Sequence, residues 1–259
     1  MRDNRECRVF FVGAGPGAKD LITLRGARLL ESADVVVWAG SLVNPELLEF
    51  CRSGAELFDS SAMSLGETTK VLAEAAERGK LCVRLHTGDP SIFGAVREQM
   101  EELKKRGIEY DVVPGVSSLC AAAASLKAEY TVPEVSQSLI ITRMAGRTPV
   151  PERERIRMMA RHGASMAVFL SGAMIGRVVD ELLSGGGYAA CTPAAVIYRA
   201  TWRDETVIRG TLADIAEKTR AAGIRKTALI LAGDFLGADY KKSRLYDKSF
   251  ATEFRGAQE

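Results

Sequence analysis

The chain has 259 residues, enough for one large domain or two of ordinary size. Apolar residues make up 47% and charged residues 26%, a globular composition, and 35 basic residues against 33 acidic ones leave a net charge of +2, too weak a field to favour nucleic acid as a partner. Cys7, Cys51, Cys82, Cys120 and Cys191 form no Cys-x-x-Cys motif and read as free thiols of a reducing compartment, and with only His86 and His162 no zinc site or histidine triad is easily built. The start of the chain is charged without an apolar run, and no stretch approaches the length of a membrane span, so the expected location is the cytoplasm, with no membrane partner.

Strand and helix patterns alternate along the chain. Residues 9–12 read as a strand, and 24–32 as a helix with Thr23 as its N-cap. Residues 34–38 are a β-branched strand. Asn44-Pro45 starts a helix, and Ser64-Leu65-Gly66-Glu67 is a capping box opening another to about residue 78. A strand over 81–85, a helix over 95–106, a strand over 109–113 and an alanine-rich helix over 117–126 follow, then a strand over 138–142. The composition changes at Arg143-Met144-Ala145-Gly146-Arg147-Thr148-Pro149-Val150-Pro151, a linker or functional loop. Beyond it come a strand over 165–170, a helix over 175–183, a flexible stop at Gly185-Gly186-Gly187, and strands over 194–198 and 205–208. Thr211-Leu212-Ala213-Asp214 reads as a second capping box, opening a helix to about residue 222, and 227–232 is the last strand. The expected fold is α/β, with two α/β domains at 1–142 and 143–236 and a polar tail over 237–259; no internal repeat is present.

Three strand ends carry the motifs. Gly13-Ala14-Gly15-Pro16-Gly17 follows the first strand, His86-Thr87-Gly88-Asp89-Pro90-Ser91-Ile92-Phe93-Gly94 follows the strand over 81–85, and Val113-Pro114-Gly115-Val116-Ser117-Ser118 follows the strand over 109–113. Ligands of open α/β sheets bind at the carboxyl edge, where these loops fall. Each taken alone is also an ordinary turn. The first loop fits a permissive dinucleotide pattern, but Pro16 and residues 18–22 separate its glycines from the helix start at Thr23. The acidic residue of the second strand, Asp34, stands at its beginning instead of its end. What remains is a turn without a ligand, or a glycine floor that admits a bulky substrate.

Together these motifs, with the strand over 33–37, resemble the tetrapyrrole-type (class III) S-adenosylmethionine (SAM) methyltransferases over about residues 8–235. Trp38-Ala39-Gly40-Ser41-Leu42-Val43, the arginine- and proline-rich run from Thr142 to Glu152, and Ala200-Thr201-Trp202-Arg203-Asp204-Glu205 resemble the cobalamin-pathway branch. The resemblance implies a homodimer of two-domain subunits with a SAM-binding cleft between the domains. It implies SAM-dependent methylation of precorrin-4 or cobalt-precorrin-4 at C-11, with S-adenosylhomocysteine as product. Its alternatives are another acceptor of the same family (uroporphyrinogen III, another precorrin, an rRNA ribose or a diphthamide residue) or a non-catalytic SAM-binding module.

The cofactor residues it implies are Pro16, Thr87, Gly88, Asp89, Ile92, Ser117, Ser118, Leu170, Ser171, Ala200, Thr227 and Ala228. Gly13, Gly15 and Gly17 fall on the tetrapyrrole side. The acceptor's acetates and propionates call for arginine forks, for which Arg143 and Arg147 are the first choices, with Arg84, Arg199 and Arg203 near strand ends. Methyl transfer from a sulfonium needs no metal and no covalent nucleophile, and no residue announces itself as a catalytic base. His86 reads as a strand-end side chain.

Overall fold

The computed structural model describes residues 8–237 together with 250, 251, 253 and 255. By its internal contacts the chain divides into two compact units. One runs up to Ala122 and takes in Arg199–Glu205; the other runs from Ala123–Tyr198 and resumes at Thr206.

The first unit is built on a parallel sheet of β1 (Val9–Gly13), β2 (Val35–Trp38), β3 (Glu56–Asp59), β4 (Cys82–His86) and β5 (Tyr110–Val113), in the order β3-β2-β4-β1-β5. Strand β1, between β4 and β5, is buried along its whole length, as parallel strands covered on both faces must be. Its side chains alternate. Phe10 and Val12 join Leu30 of α1 (Leu24–Ser32) in one apolar cluster, and Val9 and Phe11 join Leu72 of α2 (Leu65–Glu77) and Leu103 of α3 (Val96–Lys105) in another. Each such side chain taken out of water stabilises the unit by roughly 1.5–3 kcal/mol. The caps expected at Thr23 and Ser64 are present. Thr23 Oγ1 accepts from Gly26 N at 3.1 Å, and Ser64 and Glu67 bond each other's backbone amides. Asn44 caps a 3-10 turn at Pro45–Phe50 instead of an α-helix. The alanine-rich α4 (Ser118–Leu126) follows β5, and the boundary between the units falls within it.

The second unit carries a mixed sheet of β6 (Leu139–Arg143), β7 (Ser165–Phe169), β8 (Pro193–Tyr198), β9 (Thr206–Thr211) and β10 (Ala228–Ala232), in the order β6-β7-β10-β8-β9. Only the β6–β7 pair is parallel. Its helices are the short α5 (Ile156–Met159), α6 (Ile175–Ser184) and α7 (Ile215–Ala221), whose apolar faces meet Met166, Val168, Val196 and Ile230 of the sheet.

Three features depart from the sequence reading. The boundary expected at 142/143 falls inside β6, which pairs with β7 and belongs to the second unit; the change of composition marks the loop after that strand, not the division between units. Thr211–Asp214 is not a capping box. Asp214 Oδ1 accepts from Thr211 N at 2.8 Å, but Thr211 ends β9 and α7 begins only at Ile215. The glycines at 185 and 187 serve close packing: a Cβ on Gly185 would lie 2.6 Å from Arg157 O, and one on Gly187 2.8 Å from Gly163 N. The tail expected over 237–259 lies, apart from Gly237, Phe250, Ala251, Glu253 and Arg255, outside the described residues.

Candidate functional site

The ends of β4, β1 and β5 are neighbours, so their three loops meet at the carboxyl edge of the first sheet. They meet backbone to backbone. Gly15 and Gly88 form an antiparallel bridge, with Gly88 N donating to Gly15 O at 2.8 Å and Gly15 N to Gly88 O at 3.3 Å. A Cβ on Gly13 would lie 2.5 Å from Gly115 Cα and 2.7 Å from Gly88 O, and one on Gly115 2.7 Å from Gly13 Cα, so neither of these two positions has room for a side chain. Gly15 and Gly88 also hold left-handed backbone, at φ 79° and 59°.

Asp89 fastens this junction. Its Oδ2 accepts from Gly115 N at 2.9 Å, and its Oδ1 takes the Ser91 amide at 2.8 Å and the Ser91 hydroxyl. Burial pushes the carboxyl up, but the bonds from Ser91 and Gly115 outweigh it and hold it below the usual carboxylate value. The carboxylate expected to reach a cofactor is thus engaged by its own loops. Ile92 N donates to Asp89 O at 3.2 Å, and the turn into α3 passes through Phe93 and Ala95 in left-handed backbone. Thr87 beside them is exposed. Ser117 is buried and caps α4, its Oγ accepting from Leu119 N at 3.3 Å, with Ser118 half-buried after it.

Pro16, Gly17 and Ala200 also belong to this unit. Trp202 Nε1 donates to Pro16 O at 3.0 Å, and a Cβ on Gly17 would lie 2.8 Å from Ala200 O. Of the cofactor residues expected, all but Leu170, Ser171, Thr227 and Ala228 therefore gather in the first unit.

Those four lie in the second unit with Arg143 and Arg147. Leu170 follows β7 in left-handed backbone, φ 53°, and stands 64% exposed, while Thr227, φ 54°, precedes Ala228 at the start of β10. Non-glycine residues in this conformation persist only where their surroundings enforce it. Ser171 is fully buried. Its hydroxyl donates to Phe169 O at 2.6 Å and accepts from Met144 N at 2.9 Å, tying β7 to the segment after β6. Arg143 folds onto its own loop, reaching Thr148 O at 3.3 Å and Pro149 O at 2.7 Å. Arg147 is exposed.

The wider arginine rim does not form as expected. Arg84 is buried, its guanidinium bonded to Gln99 Oε1 at 3.0 Å and Val37 O at 3.2 Å, and burial lowers it to about 10. The alternation of β4 places it on the same face as Cys82 and His86, and both faces of this strand are buried. Arg199 pairs with Asp204 at 2.6 Å, and Arg203 with Glu46 at 3.1 Å. His86 is 5% exposed, lies beside Phe11, and has no hydrogen-bond partner at Nε2 among the described residues. Burial, with the nearby Arg84 charge, lowers its pKa to about 3, so the imidazole is neutral throughout the physiological range.

Sequence reasoning missed Asp59, the last residue of β3. Its Oδ1 accepts from Ser61 N at 2.8 Å and Gly40 N at 3.1 Å, and these amides hold the exposed carboxyl below its usual value. A Cβ on Gly40 would fall 2.5 Å from its Cγ, so the glycine of the Trp38-Ala39-Gly40 run makes room for this carboxylate. That glycine was the available signal, but nothing in it named the partner.

Glycine floors at the carboxyl edge of a parallel sheet, followed by a second α/β unit with a mixed sheet, define a class, and the comparisons identify it. The model of the Tetrapyrrole (Corrin/Porphyrin) Methylases matches residues 8–216. This chain belongs to that family. It is 54% identical over 256 residues, 98% of each chain, to the cobalt-precorrin-4 C(11)-methyltransferase of Methanocaldococcus jannaschii. Among solved structures it is similar to a cobalt precorrin-4 methyltransferase (43% identity, TM-score 0.87, covering 91% of this chain and 98% of that one). It is also similar to the uroporphyrin-III C-methyl transferase of Thermus thermophilus complexed with S-adenosyl homocysteine (26% identity, TM-score 0.74, covering 91% and 96%). No helix among the described residues is long and apolar enough to cross a membrane.

Proposed function

We propose that this protein transfers a methyl group from SAM to C-11 of cobalt-precorrin-4. The observation that carries the reading is the 54% identity over 98% of both chains with a relative of that name, with the three glycine loops intact and joined. SAM, when bound, supplies an electrophilic methyl group. The chain's own contribution is position. The Thr87–Ile92 loop and the start of α4 at Ser117 and Ser118 form the first unit's share of the cofactor contacts, with Pro16 and Ala200. Leu170, Ser171, Thr227 and Ala228 form the second unit's share. Because Asp89 and Ser171 are internally bonded, we assign them the task of holding backbone amides and carbonyls at the cofactor; their side chains do not reach for it.

Gly13, Gly15 and Gly17 offer backbone to the flat acceptor, with Gly13 packed on Gly115 and Gly17 on the Trp202 indole. Arg147 is the available fork for an acceptor carboxylate, and Arg143 sets its loop. Asp59 presents a fixed acceptor to the macrocycle's pyrrole N–H groups. We also propose a homodimer acting in the cytoplasm.

Two measurements test this. Titration with S-adenosylhomocysteine should give one site per subunit. Incubation with SAM and cobalt-precorrin-4, or in parallel metal-free precorrin-4, should add one methyl group by mass to the cobalt substrate at the higher kcat/KM. Binding without turnover on either macrocycle would reduce the reading to a SAM-binding module.

A further inference from the structure

The segment from residue 199 to 205 carries a recognisable sequence pattern, yet apart from Ala200 it has no task in the reaction described above. In the chain it joins β8 to β9, yet by its contacts it belongs to the first unit. There it grips the first glycine loop at consecutive residues. Trp202 Nε1 donates to Pro16 O at 3.0 Å, and Thr201 Oγ1 accepts from Ala18 N at 3.0 Å. Between them, Asn44 Nδ2 donates to Gly17 O at 2.9 Å.

The indole also fills the place of the missing side chain at Gly17, where a Cβ would lie 2.5 Å from Nε1. The gripping segment is itself braced. The Arg199 guanidinium lies over the Trp202 ring at 4.9 Å and pairs with Asp204 at 2.6 Å. Arg203 pairs at 3.1 Å with Glu46, two residues beyond Asn44. Thr201 N donates to Glu205 Oε2 at 2.6 Å, and both Arg199 and Thr201 stand in left-handed backbone, at φ 47° and 69°. Non-glycine residues keep such a conformation only where neighbours over-determine it, and it concentrates at ligand clamps.

We propose that Trp202, with Thr201, is a positioning residue for the acceptor: it locks the Pro16–Ala18 backbone in the conformation that receives the macrocycle, so that binding does not have to order the loop. Loop glycines left free would populate many conformations, and a ligand's apparent affinity falls by the fraction of molecules in the competent one. The indole N–H and the threonine hydroxyl remove that loss before the acceptor arrives. This proposal rests on the reading that the first glycine loop serves the acceptor.

The test combines a structural readout with a functional one on the full chain. Hydrogen exchange followed by mass spectrometry over residues 13–22 reports the lock directly. Steady-state kinetics with cobalt-precorrin-4 and titration with S-adenosylhomocysteine report its use. In Trp202→Ala, exchange over 16–21 should quicken about tenfold while β1 and β4 keep their rates, and the acceptor KM should rise about tenfold with kcat altered less than threefold. Trp202→Phe keeps the ring against Gly17 and loses only the N–H, so its acceptor KM should rise about three- to fivefold.

A purely structural tryptophan would lower the folded fraction, and with it apparent kcat, leaving KM unchanged. Wild-type exchange in both variants overturns the proposal, as does faster exchange with neither ligand affected. Faster exchange with weakened S-adenosylhomocysteine binding and an unchanged acceptor KM upholds the lock and refutes the acceptor reading of the loop. Should Trp202→Ala fail to fold, Thr201→Val removes only the partner of Ala18 N and carries the same measurements.

Discussion

Replacing His86 by phenylalanine should make the protein more resistant to acid, and the size of the effect follows from the burial of the imidazole. His86 ends β4 with 5% of its surface exposed, its ring 6.0 Å from that of Phe11 and its Nε2 without a partner among the described residues. Burial and the Arg84 charge lower its pKa from 6.5 to about 3. The folded protein therefore keeps the ring neutral in a range where the unfolded chain takes up a proton. Protonation of the unfolded state draws the equilibrium toward unfolding, so stability is lost as pH falls below 6.5, at about 1.4 kcal/mol per pH unit once the unfolded histidine is charged. Integrated from pH 7 to pH 4.5, the loss is roughly 2.5 kcal/mol.

The phenylalanine of the His86→Phe variant cannot titrate, and every other group titrates alike in the two proteins, so the stability difference isolates this residue. At pH 7 the variant should lie within about 1 kcal/mol of wild type, because a partnerless buried nitrogen costs about as much as the altered ring shape. Both tryptophans, Trp38 and Trp202, lie in the first unit, so urea unfolding followed by tryptophan fluorescence reads the unit that contains His86. The free-energy difference should grow by about 2.5 kcal/mol in favour of the variant from pH 7 to pH 4.5. A difference flat to within about 0.5 kcal/mol over that range would refute the reasoning and mean that the imidazole accepts its proton in the folded state.

Asp89→Asn should weaken S-adenosylhomocysteine binding about tenfold in calorimetric titration, since the loop loses charge-assisted bonds that are worth about 1.5–3 kcal/mol at most. Because the folded carboxyl titrates below its unfolded value, its contribution to stability is complete above that value and disappears as pH falls through the folded one; wild type and variant should converge in acid denaturation there. Gly115→Ala should cost at least about 1–3 kcal/mol in urea unfolding, because the added Cβ meets backbone atoms of Gly13 and Gly88 that no rotamer change can clear. Arg147→Ala should raise the acceptor KM several-fold without shifting Tm. Arg143→Ala should lower Tm and raise KM together, as expected of a side chain that holds its own loop.

The elements built from local patterns were legible in the sequence. The apolar alternation of β1, the β-branched run of β2 and the Thr23 and Ser64 caps each declare themselves within a few residues. β3 did not, because Glu56–Asp59 is a sheet-edge strand with little buried surface and hence no apolar stripe. The run at Thr211 misled for a related reason: the bond from Thr211 N to the Asp214 carboxylate occurs in a capping box and in a strand-end turn alike, and what separates them is that α7 begins only at Ile215. Arg84 was misplaced on the rim because an arginine in a strand reads as exposed, whereas β4 is buried on both faces and every one of its side chains packs inward.

The functional loops show where such reading runs out. Gly13, Gly88 and Gly115 looked like three separate openings for a ligand. In the structure Gly13 and Gly115 are needed first by one another, because β1 and β5 are adjacent and their loops cross at distances that admit no side chain, while Gly88 is needed for its left-handed backbone. Gly17 is needed by Trp202, 185 residues away in the sequence. A glycine pattern read as a binding edge is thus in part a packing pattern. Asp89 and Ser171 make the same point among polar side chains. Each is bonded within its own unit, Asp89 to Ser91 and Gly115 and Ser171 to Phe169 and Met144, so the sequence shows that a carboxylate and a hydroxyl follow strands, and only the fold shows which backbone groups they hold.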